Sequence, residues 1–288
     1  MTRDSISWGK FILIIGVDNG ACVTKGVLMK DSLIIKTYST LTEDSVTSAL
    51  KVLNALLKSK QEAGLIKAVA VSGGGSRRIG KRLLDSPVIR VDEIRAIGIG
   101  GLTLVGKSEG LIVNAGTGTA IVAAYNEGRK AIHLGGTGVG GGTLLGLAER
   151  MLGTHDFEEL ENLAVKGDAG KVDLTVFDIV GGPVGIVPAE ATASNFGKIH
   201  AADASREDLA AGLFNMVCQV VGVVGAMAAK AFRLEENVIV TGGLAKSILA
   251  SNLIRNTMNL FGINPCIPKN CEYCTAVGAA RFLSIEET

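Results

Sequence analysis

Two short turns, each directly after an apolar run, carry the residue types that phosphate chemistry needs. The first, Asp18-Asn19-Gly20-Ala21, follows the run that ends at Val17 and has Lys25 close behind it. The second, Gly116-Thr117-Gly118-Thr119, follows the run Leu111–Ala115. A carboxylate at a strand end can hold Mg²⁺ through water, and the N–H groups of such turns can bind phosphate oxygens. The residues therefore predict a magnesium ion at Asp18 and phosphate contacts at both turns, with an ordinary hairpin turn as the alternative.

A third glycine-rich stretch, Gly135–Gly142, contains six glycines in eight positions and leads straight into a helical apolar pattern. Glycine has no Cβ, so this backbone can approach a ligand closely, and bare N–H groups at a helix start favour an anion. We therefore expect Gly136, Gly140 and Gly141 to contact the nucleotide. A flexible surface loop is the alternative interpretation.

A glycine pair near the carboxyl end of the chain indicates a binding site for an adenine ring. The predicted buried strand Asn237–Thr241 ends in Gly242-Gly243, and a helix is predicted over Leu244–Phe261 behind it. A backbone without side chains can approach the flat face of a base, so Gly242 and Gly243 are candidate adenosine contacts.

A fourth glycine cluster, Ser72–Ser76, also follows a short predicted strand. Four basic residues come directly after it: Arg77, Arg78, Lys81 and Arg82. A run of this kind is usually a solvated face, which is the interpretation we favour here. The acidic pair Asp92-Glu93 ends the next predicted strand, and a glycine-containing helix is predicted over Ala96–Val105.

The composition excludes several classes of protein. The chain has 288 residues, 47% of them hydrophobic, and a net charge of +1 from 29 basic and 28 acidic residues. Charges this evenly balanced do not indicate the basic surface that binds nucleic acid. The apolar run Phe11–Val17 leads straight into polar residues, so we expect no signal peptide and a cytoplasmic enzyme.

The most apolar window, Leu209–Phe232, is the candidate for a membrane span. Asn215 and Gln219 interrupt it, and Ser205 with Asp208 forms a capping box at its start. A span needs ~20 apolar residues with flanking anchors, so a buried helix explains this window better and no membrane contact is expected.

The five cysteines are an odd number and do not resemble a disulfide framework. Cys266, Cys271 and Cys274 overlap one iron–sulfur spacing, but no fourth cysteine stands near them. Local packing is therefore the favoured account of these three residues.

The chain contains an internal repeat that predicts two similar domains. A unit of strand, phosphate turn, strand, tip and strand occurs at residues 12–38 and again at 111–134. We place the domains at residues 1–108 and 109–288, facing each other across a cleft where the two turns would clamp a triphosphate. The last helix, Thr275–Leu283, is a candidate to pack back on the first domain.

Four segments stand in an order that is typical of one family. They are Asn114–Thr119, Gly135–Gly146, Lys166-Gly167-Asp168 and Ala193–Gly197. With them, the chain resembles the type II (eukaryotic-like) pantothenate kinases, within the superfamily of acetate kinase, sugar kinases, Hsp70 and actin. The resemblance covers nearly the whole chain, from about residue 11 to 283.

The resemblance implies an α/β fold of two ribonuclease H-like (actin-like ATPase) domains across a nucleotide cleft. It implies ATP-dependent phosphoryl transfer to pantothenate or a related small molecule in coenzyme A biosynthesis, with ATP and Mg²⁺ as cofactors. Asp18, Gly20 and Lys25 would lie at the phosphates and Mg²⁺. Gly116–Thr119 would form the second phosphate loop, and Gly242-Gly243 would border the adenosine.

The resemblance also implies partners and acceptor contacts. The long helix after Ser205 would pack in a homodimer interface, and coenzyme A or an acyl-CoA would bind as inhibitor. The candidate acceptor contacts are Gly74, Thr117, His133, Thr137 and Asn195.

Two departures from the family pattern fall on the acceptor side. The family has a catalytic glutamate shortly after its Gly-Gly-Gly turn, whereas this chain has no carboxylate between that turn and Asp85. The family also has a substrate-binding arginine just before the central glycine stretch, where this chain has His133. Asp92 or Glu93 is the candidate replacement for the base, whose help is typically worth about 10²–10⁴-fold.

Two alternatives to an active pantothenate kinase stay open at this point. The first is a regulatory, ATP-binding relative with an altered substrate or little transfer activity. The second is an ATPase that resembles the activators of 2-hydroxyacyl-CoA dehydratases, which hold a metal cluster with interface cysteines. The cysteine expected before the glycine stretch in such activators is absent here.

Overall fold

The computed structural model describes residues 13–30, 32–57, 66–185, 187–198 and 203–286. The chain forms two compact units: unit 1 comprises Met1–Gly100 with Thr275–Thr288, and unit 2 comprises Gly101–Cys274. The predicted division after residue 108 lies a little further along the chain than this one. The difference arises at the helix Glu93–Val105, whose first half belongs to unit 1.

Unit 1 is built on a six-stranded mixed sheet with the order β3-β2-β1-β4-β6-β5. Its strands are β1 (Leu13–Asn19), β2 (Val23–Lys30), β3 (Leu33–Leu41), β4 (Ile66–Ser72), β5 (Arg82–Leu83) and β6 (Ser86–Arg90). The first three strands form the predicted antiparallel meander, and β4 runs parallel to β1. β1 continues past its predicted end at Val17 to include Asp18, while its predicted first residue, Phe11, lies outside the described residues.

The core of unit 1 lies between this sheet and helix α1 (Ser45–Leu56). Ile15 and Val17 of β1 are fully buried, as a continuous apolar run predicts. Asp44 caps α1 by accepting hydrogen bonds from two N–H groups of its first turn. The spacing of Val46, Leu50, Leu53 and Leu57 predicts an amphipathic helix over Thr42–Lys60, whose last three residues lie outside the described part of the chain.

Two further helices of unit 1 pack through residues that have almost no side chain. Helix α2 spans Glu93–Val105, and helix α8 spans Cys274–Glu286. A Cβ on Gly16 of β1 would overlap the carbonyl oxygen of Ala276, and one on Gly278 would overlap that of Ala96. The small residues predicted in the last helix therefore let its backbone approach both β1 and α2.

Unit 2 repeats the central arrangement of unit 1. Its four-stranded sheet has the order β12-β7-β8-β9. The strands are β7 (Gly110–Ala115), β8 (Thr119–Tyr125), β9 (Lys130–Thr137) and β12 (Val238–Thr241), and β10 (Leu174–Thr175) pairs with β11 (Thr192–Ser194) apart from them. β7, β8 and β9 form an antiparallel meander, and β12 runs parallel to β7 as β4 does to β1. The predicted internal repeat is confirmed.

The helices of unit 2 surround one long apolar helix. They are α3 (Gly141–Leu152), α4 (Phe157–Ala164), α5 (Val176–Val180), α6 (Arg206–Phe232) and α7 (Ile248–Asn259). Helix α6 packs against α3, α4 and α7, and its residues Phe214, Val217 and Val221 are fully buried. The predicted capping box is present: Ser205 and Asp208 exchange hydrogen bonds at the start of α6.

Helix α6 is also long and apolar enough to cross a membrane by length and composition alone, and 56% of its most apolar window is buried inside the fold. Burial of this extent is what the core helix of a globular unit shows, because one face of the helix must meet its neighbours.

Candidate active site

Asp18 occupies the carboxyl end of β1, between two neighbouring strands. It pairs in register with Lys25 of β2 on one side and with Ser72 of β4 on the other. Burial, and to a smaller extent the charge of Glu93, raises the pKa of Asp18 to about 6 against the lowering effect of the Lys25 ammonium. A carboxylate held charged in such a position at neutral pH is a strong cation ligand.

The turn after Asp18 is held rigid by a polar network. The Asn19 side-chain amide donates to Thr24 Oγ1 at 3.3 Å and to the Ser45 carbonyl at 3.1 Å. Thr42 Oγ1 donates to the Gly20 carbonyl at 2.9 Å. These contacts fix the position of the Gly20 backbone, so the turn is prepared to meet a ligand without a large loss of entropy.

The glycine turn after β4 lies directly against Asp18 and Asn19. Gly73 has φ of +83°, and a Cβ there would lie 2.6 Å from Asp18 Oδ1. A Cβ on Gly75 would overlap Asn19 Oδ1. Gly74, by contrast, is exposed and has open space around it. Glycine is therefore required at Gly73 by both the backbone conformation and the close approach.

Two buried polar atoms beside Asp18 have no hydrogen-bond partner in the described part of the chain, Asn19 Oδ1 and Ser72 Oγ. Buried polar atoms are normally satisfied, so such atoms often mark the place of a water or ion. Mg²⁺ uses one or two carboxylates and keeps several waters, and this all-oxygen set fits that preference. Asp18 would hold the ion, while Ser72 and Asn19 would accept or donate to its waters.

The two carboxylates of the acidic pair Asp92-Glu93 have different environments. Asp92 Oδ1 accepts a hydrogen bond from the Arg95 N–H at 3.1 Å, so this carboxylate caps helix α2. Burial and then the charge of Asp92 raise the pKa of Glu93. Glu93 also acts electrostatically on Asp18, which places these two carboxyl groups in one neighbourhood.

In unit 2, the Gly116–Thr119 turn and the glycine stretch form one interlocked backbone structure. A Cβ on Gly140 would lie 2.8 Å from the Thr117 carbonyl oxygen, and one on Gly142 would lie 2.6 Å from Thr117 Cγ2. Thr119 is buried and donates its hydroxyl to the Val139 carbonyl at 2.8 Å. Thr117 is the exposed residue of the turn.

The expectation of bare N–H groups at the start of the helix is wrong for Gly141 and Gly142. Their N–H groups donate to the carbonyls of Gly116 and Thr117 at 2.8 and 2.9 Å. The glycine stretch is also partly a strand, because β9 runs through Gly136 to Thr137. These glycines therefore shape the phosphate turn, and a direct contact of Gly136, Gly140 or Gly141 with the nucleotide stays a prediction.

The candidate acceptor residues of unit 2 lie at an irregular point of the edge strand β9. His133 is exposed and pairs with Val122, whereas Gly135 pairs with Ile121, so Leu134 is an extra residue. This bulge changes the direction of the strand just after His133, as bulges beside functional sites often do. Thr137 Oγ1 accepts from the Val139 N–H at 3.1 Å.

Gly242 needs to be glycine for two reasons. Its φ is +97°, and a Cβ would overlap the carbonyl of Ala115. Its N–H donates to the Cys271 carbonyl at 2.9 Å. The helix predicted to begin at Leu244 begins at Ile248, because a short 3₁₀ turn, Leu244–Lys246, comes first.

The three cysteines near this turn differ in exposure: Cys266 is exposed, and Cys271 and Cys274 are buried. Among the described residues no group of three or more His, Cys, Asp or Glu could hold a metal ion. The backbones of Cys266 and Cys271 hydrogen bond to the strand β12 and to Gly242, which is consistent with local packing.

Asn195 belongs to a polar network on helix α6. Its amide donates to Asp173 Oδ2 at 3.4 Å and to Gln219 Oε1 at 3.3 Å. Asp173, only 1% exposed, also accepts from the Phe196 N–H and the Asn215 amide, both at 2.7 Å. Asn215 and Gln219, which interrupt the apolar window in the sequence, thus hold the segment that carries Asn195. Its contact with the acceptor stays a prediction.

The Lys166-Gly167-Asp168 segment has an architectural role. A Cβ on Gly167 would overlap the Glu207 carbonyl in the first turn of α6. The Asp168 N–H donates to Asp208 Oδ1 at 2.8 Å. Sequence reasoning missed Ser72 and Asp173, because nothing in their local sequence shows that their side chains would be buried next to other functional groups.

Comparison with known proteins gives one family. The family model described as Fumble matches residues 110–281. The type II pantothenate kinase of Bacillus cereus (strain ZK / E33L) is 28% identical over 279 residues, which cover 93% of this chain and 96% of that protein. That of Bacillus cereus (strain G9842) is 30% identical over 223 residues, which cover 74% of this chain and 81% of that protein.

Among solved structures, the activator of the 2-hydroxyisocaproyl-CoA dehydratase from Clostridium difficile with bound ADPNP is similar over 96% of this chain and 98% of its own. The TM-score is 0.65 at 20% sequence identity, so this likeness shows the fold alone. The predicted α/β fold class with two sheet-containing parts is confirmed.

Replacing Asp18 with Asn is expected to stabilise the ligand-free protein above pH 6. Burial raises the pKa of Asp18 from its ordinary 3.8 to about 6, so the folded state holds this proton more tightly than the unfolded chain does. The cost of the buried charge is therefore full above that pH and is lost as pH falls towards 4. Urea denaturation should give Asp18→Asn a free energy of unfolding roughly 1–3 kcal/mol larger at pH 8, with a smaller gain at pH 4.5.

The matched control is Asp85→Asn, because Asp85 is an exposed carboxyl group of the same unit. It should show no pH-dependent gain. A loss of stability in Asp18→Asn at pH 8 would contradict a carboxylate that is costly to bury.

Proposed function

Since this chain belongs to the Fumble family of type II pantothenate kinases, we propose that it transfers the γ-phosphoryl group of ATP to the hydroxyl of pantothenate or a closely related small molecule. The product would enter coenzyme A biosynthesis. The observation that carries this proposal is the family match over residues 110–281, together with relatives that align over almost the whole chain. A cytoplasmic location without membrane contact is part of the same proposal.

The nucleotide side of the proposal assigns a role to each strand-end turn. Asp18 holds Mg²⁺, and Gly20 and Lys25 contact the phosphates from unit 1. The turn Gly116–Thr119 contacts the phosphates from unit 2, and Gly242-Gly243 borders the adenosine. The rigid Gly20 turn and the interlocked Gly116–Thr119 turn support these roles, because preorganised N–H donors stabilise transferring phosphoryl groups without rearrangement.

The acceptor side contributes positioning and a base. The acceptor hydroxyl oxygen bonds to the γ-phosphorus while the bond from that phosphorus to the bridging β-oxygen breaks, and ADP leaves with the bridging oxygen. The hydroxyl proton passes to a carboxylate of unit 1. Bound Mg²⁺ would neutralise charge on the phosphate oxygens. The acceptor contacts proposed here are Gly74, Thr117, His133, Thr137 and Asn195.

Glu93 is the better supported base of the acidic pair. Asp92 uses its carboxylate to cap α2, which leaves little freedom to reach a substrate. Glu93 is coupled to Asp18, and its raised pKa brings it closer to the range in which a carboxylate accepts a proton efficiently. No other carboxylate is available between the glycine turn and Glu93 except exposed Asp85 and the capping Asp92.

A relative with an altered acceptor or weak transfer is the second candidate function. It is favoured by the lack of a carboxylate between the glycine turn and Asp85 and by His133 in place of the family's arginine. An activator-like ATPase has less support, because the likeness to the dehydratase activator is one of fold.

The proposed homodimer rests on the exposed face of α6. Val223 and Met227, one helical turn apart, are 37% and 45% exposed, and Phe232 at the helix end is 46% exposed. An apolar row of this kind on a long helix is typical of a subunit interface, since water is excluded from it on association. Coenzyme A or an acyl-CoA is retained as a proposed inhibitor.

Purified protein with Mg²⁺ and ATP should release ADP faster when pantothenate is added. A coupled ADP assay measures this, and phosphate transfer to pantothenate is followed with labelled ATP. ATP binding by calorimetry without any stimulation would reject pantothenate as the acceptor and favour the second candidate. Adding acetyl-CoA to the stimulated reaction tests the proposed inhibition.

Glu93→Gln should lower kcat by about 10²–10⁴-fold with little change in KM for ATP, because it removes the proton acceptor but no nucleotide contact. Asp92→Asn is the matched control and should lower kcat much less, with a stability loss of at most about 1 kcal/mol from the weaker cap. Gly80→Glu in the Glu93→Gln background places a carboxylate near the position of the family's catalytic glutamate. The structure has room for a Cβ at Gly80. Equal losses in both single variants would contradict the assignment.

Met227→Glu should shift the protein from dimer to monomer in sedimentation equilibrium, because a charge on the exposed face of α6 would have to be desolvated on association. Ile248→Glu is the matched control, since Ile248 is 78% exposed in the same unit but lies on α7. A wild-type protein that sediments as a monomer at micromolar concentration would reject the dimer.

A further inference from the structure

We propose that Arg77 and Arg78 bind the anionic end of the acceptor, so that the preferred acceptor is a hydroxy compound that carries a carboxylate. This inference rests on the proposed function and names the contact that sets its acceptor specificity. From the sequence alone, these arginines were interpreted as part of a solvated face.

The two arginines follow directly from the turn that touches Asp18. Ser72 pairs in register with Asp18, and a Cβ on Gly73 would lie 2.6 Å from Asp18 Oδ1. Arg77 and Arg78 end the single short 3₁₀ turn, Gly74–Arg78, that begins there. They therefore lie at the end of the 3₁₀ turn that begins beside the carboxylate proposed to hold Mg²⁺.

The loop is fixed by the buried residues on either side of the two arginines, while both arginines are exposed to solvent. Ser76 and Ile79, on either side of them, are only 8% and 1% exposed. The Arg90 guanidinium donates to the carbonyls of both residues, at 3.3 Å to Ser76 through Nε and also to Ile79 through Nη2. Arg77 and Arg78 are exposed. A rigid support of this kind lowers the entropy cost of presenting two long side chains to a ligand.

The positive charge of this loop is not neutralised within the fold. In the described part of the chain, the side chains of Arg77 and Arg78 make no hydrogen bond or ion pair, and exposed Lys81 adds a third cation. Asp85 is the one carboxylate between Gly73 and Val91 in the sequence. Adjacent cations repel, and an anion placed between them relieves that repulsion.

Guanidinium groups are suited to a carboxylate or a phosphate, because their planar fork donates two parallel hydrogen bonds to two oxygens of either anion. The phosphates of ATP are the competing anion near Asp18. We favour the acceptor because Lys25, a proposed phosphate contact, lies on β2 on one side of Asp18, whereas Arg77 and Arg78 follow β4 on the other side. An acceptor with its hydroxyl at one end and its carboxylate at the other would span that separation.

Pantothenate and pantetheine provide a matched pair of probes, since both carry the same hydroxyl end but pantetheine has a neutral amide in place of the carboxylate. We expect the wild-type protein to prefer pantothenate in kcat/KM. Arg77→Gln and Arg78→Gln, alone and together, should raise KM for pantothenate at least about tenfold and leave pantetheine nearly unchanged. Arg78→Lys should restore part of the preference, and Lys67→Gln, an exposed charge at the other end of β4, is the control.

Each other result overturns the inference in a distinct way. Equal losses for both acceptors with a raised KM for ATP would assign the arginines to the nucleotide, while the proposed function would stand. Unchanged kinetics in the double variant would mean that Arg77 and Arg78 are solvated surface residues without a role in acceptor binding. Phosphorylation of neither compound by the wild-type protein would reject the proposed function itself and this inference with it. Circular dichroism melting curves confirm that the exposed substitutions leave the fold intact.

Discussion

The position of the Asp18 carboxylate constrains most of unit 1. A charged group at the end of a buried strand is costly, and here Lys25 on the neighbouring strand offsets only part of that cost. The backbone must also come close to it, which requires glycine at Gly73 and a fixed turn at Gly20. The hydrated cation proposed for this position would relieve both the cost of the buried charge and the two unsatisfied polar atoms beside it. A site of that kind would trade stability of the ligand-free protein for binding.

Unit 2 uses glycine in a different way, although its sheet has the same central topology. There the N–H groups of Gly141 and Gly142 hold the carbonyls of the Gly116–Thr119 turn. The glycine stretch therefore holds the Gly116–Thr119 turn, the proposed phosphate contact, in place. The segments around Gly167 and Asn195 are likewise fastened to α6, through backbone contact in one case and through Asp173 in the other. The segments that carry the family resemblance thus shape and hold turns in this structure.

The acceptor side differs from the family in charge more than in shape. The loop after the glycine turn carries Arg77 and Arg78 and has no carboxylate before Asp85, while the buried residues Ser76 and Ile79 keep it in place. The basic loop and the proposed base Glu93 are compatible with the proposed phosphoryl transfer, because that chemistry depends mainly on positioning and charge stabilisation. In this proposal the acceptor contacts and the route of its proton differ from the family pattern, while the nucleotide contacts do not.

The sequence by itself determined the strands, the internal repeat, the turns that carry Asp18 and Gly116–Thr119, and the family, because these depend on local patterns of apolar residues and glycine. The tertiary structure alone decided which groups share a site. It placed Glu93 with Asp18 and gave Asp92 to a helix cap. It also paired the N–H groups of Gly141 and Gly142 with backbone carbonyls, whereas the sequence suggested that these N–H groups had no intramolecular partner. Hydrogen-bond partners and burial arise between segments distant in the chain, so no local pattern could have revealed them.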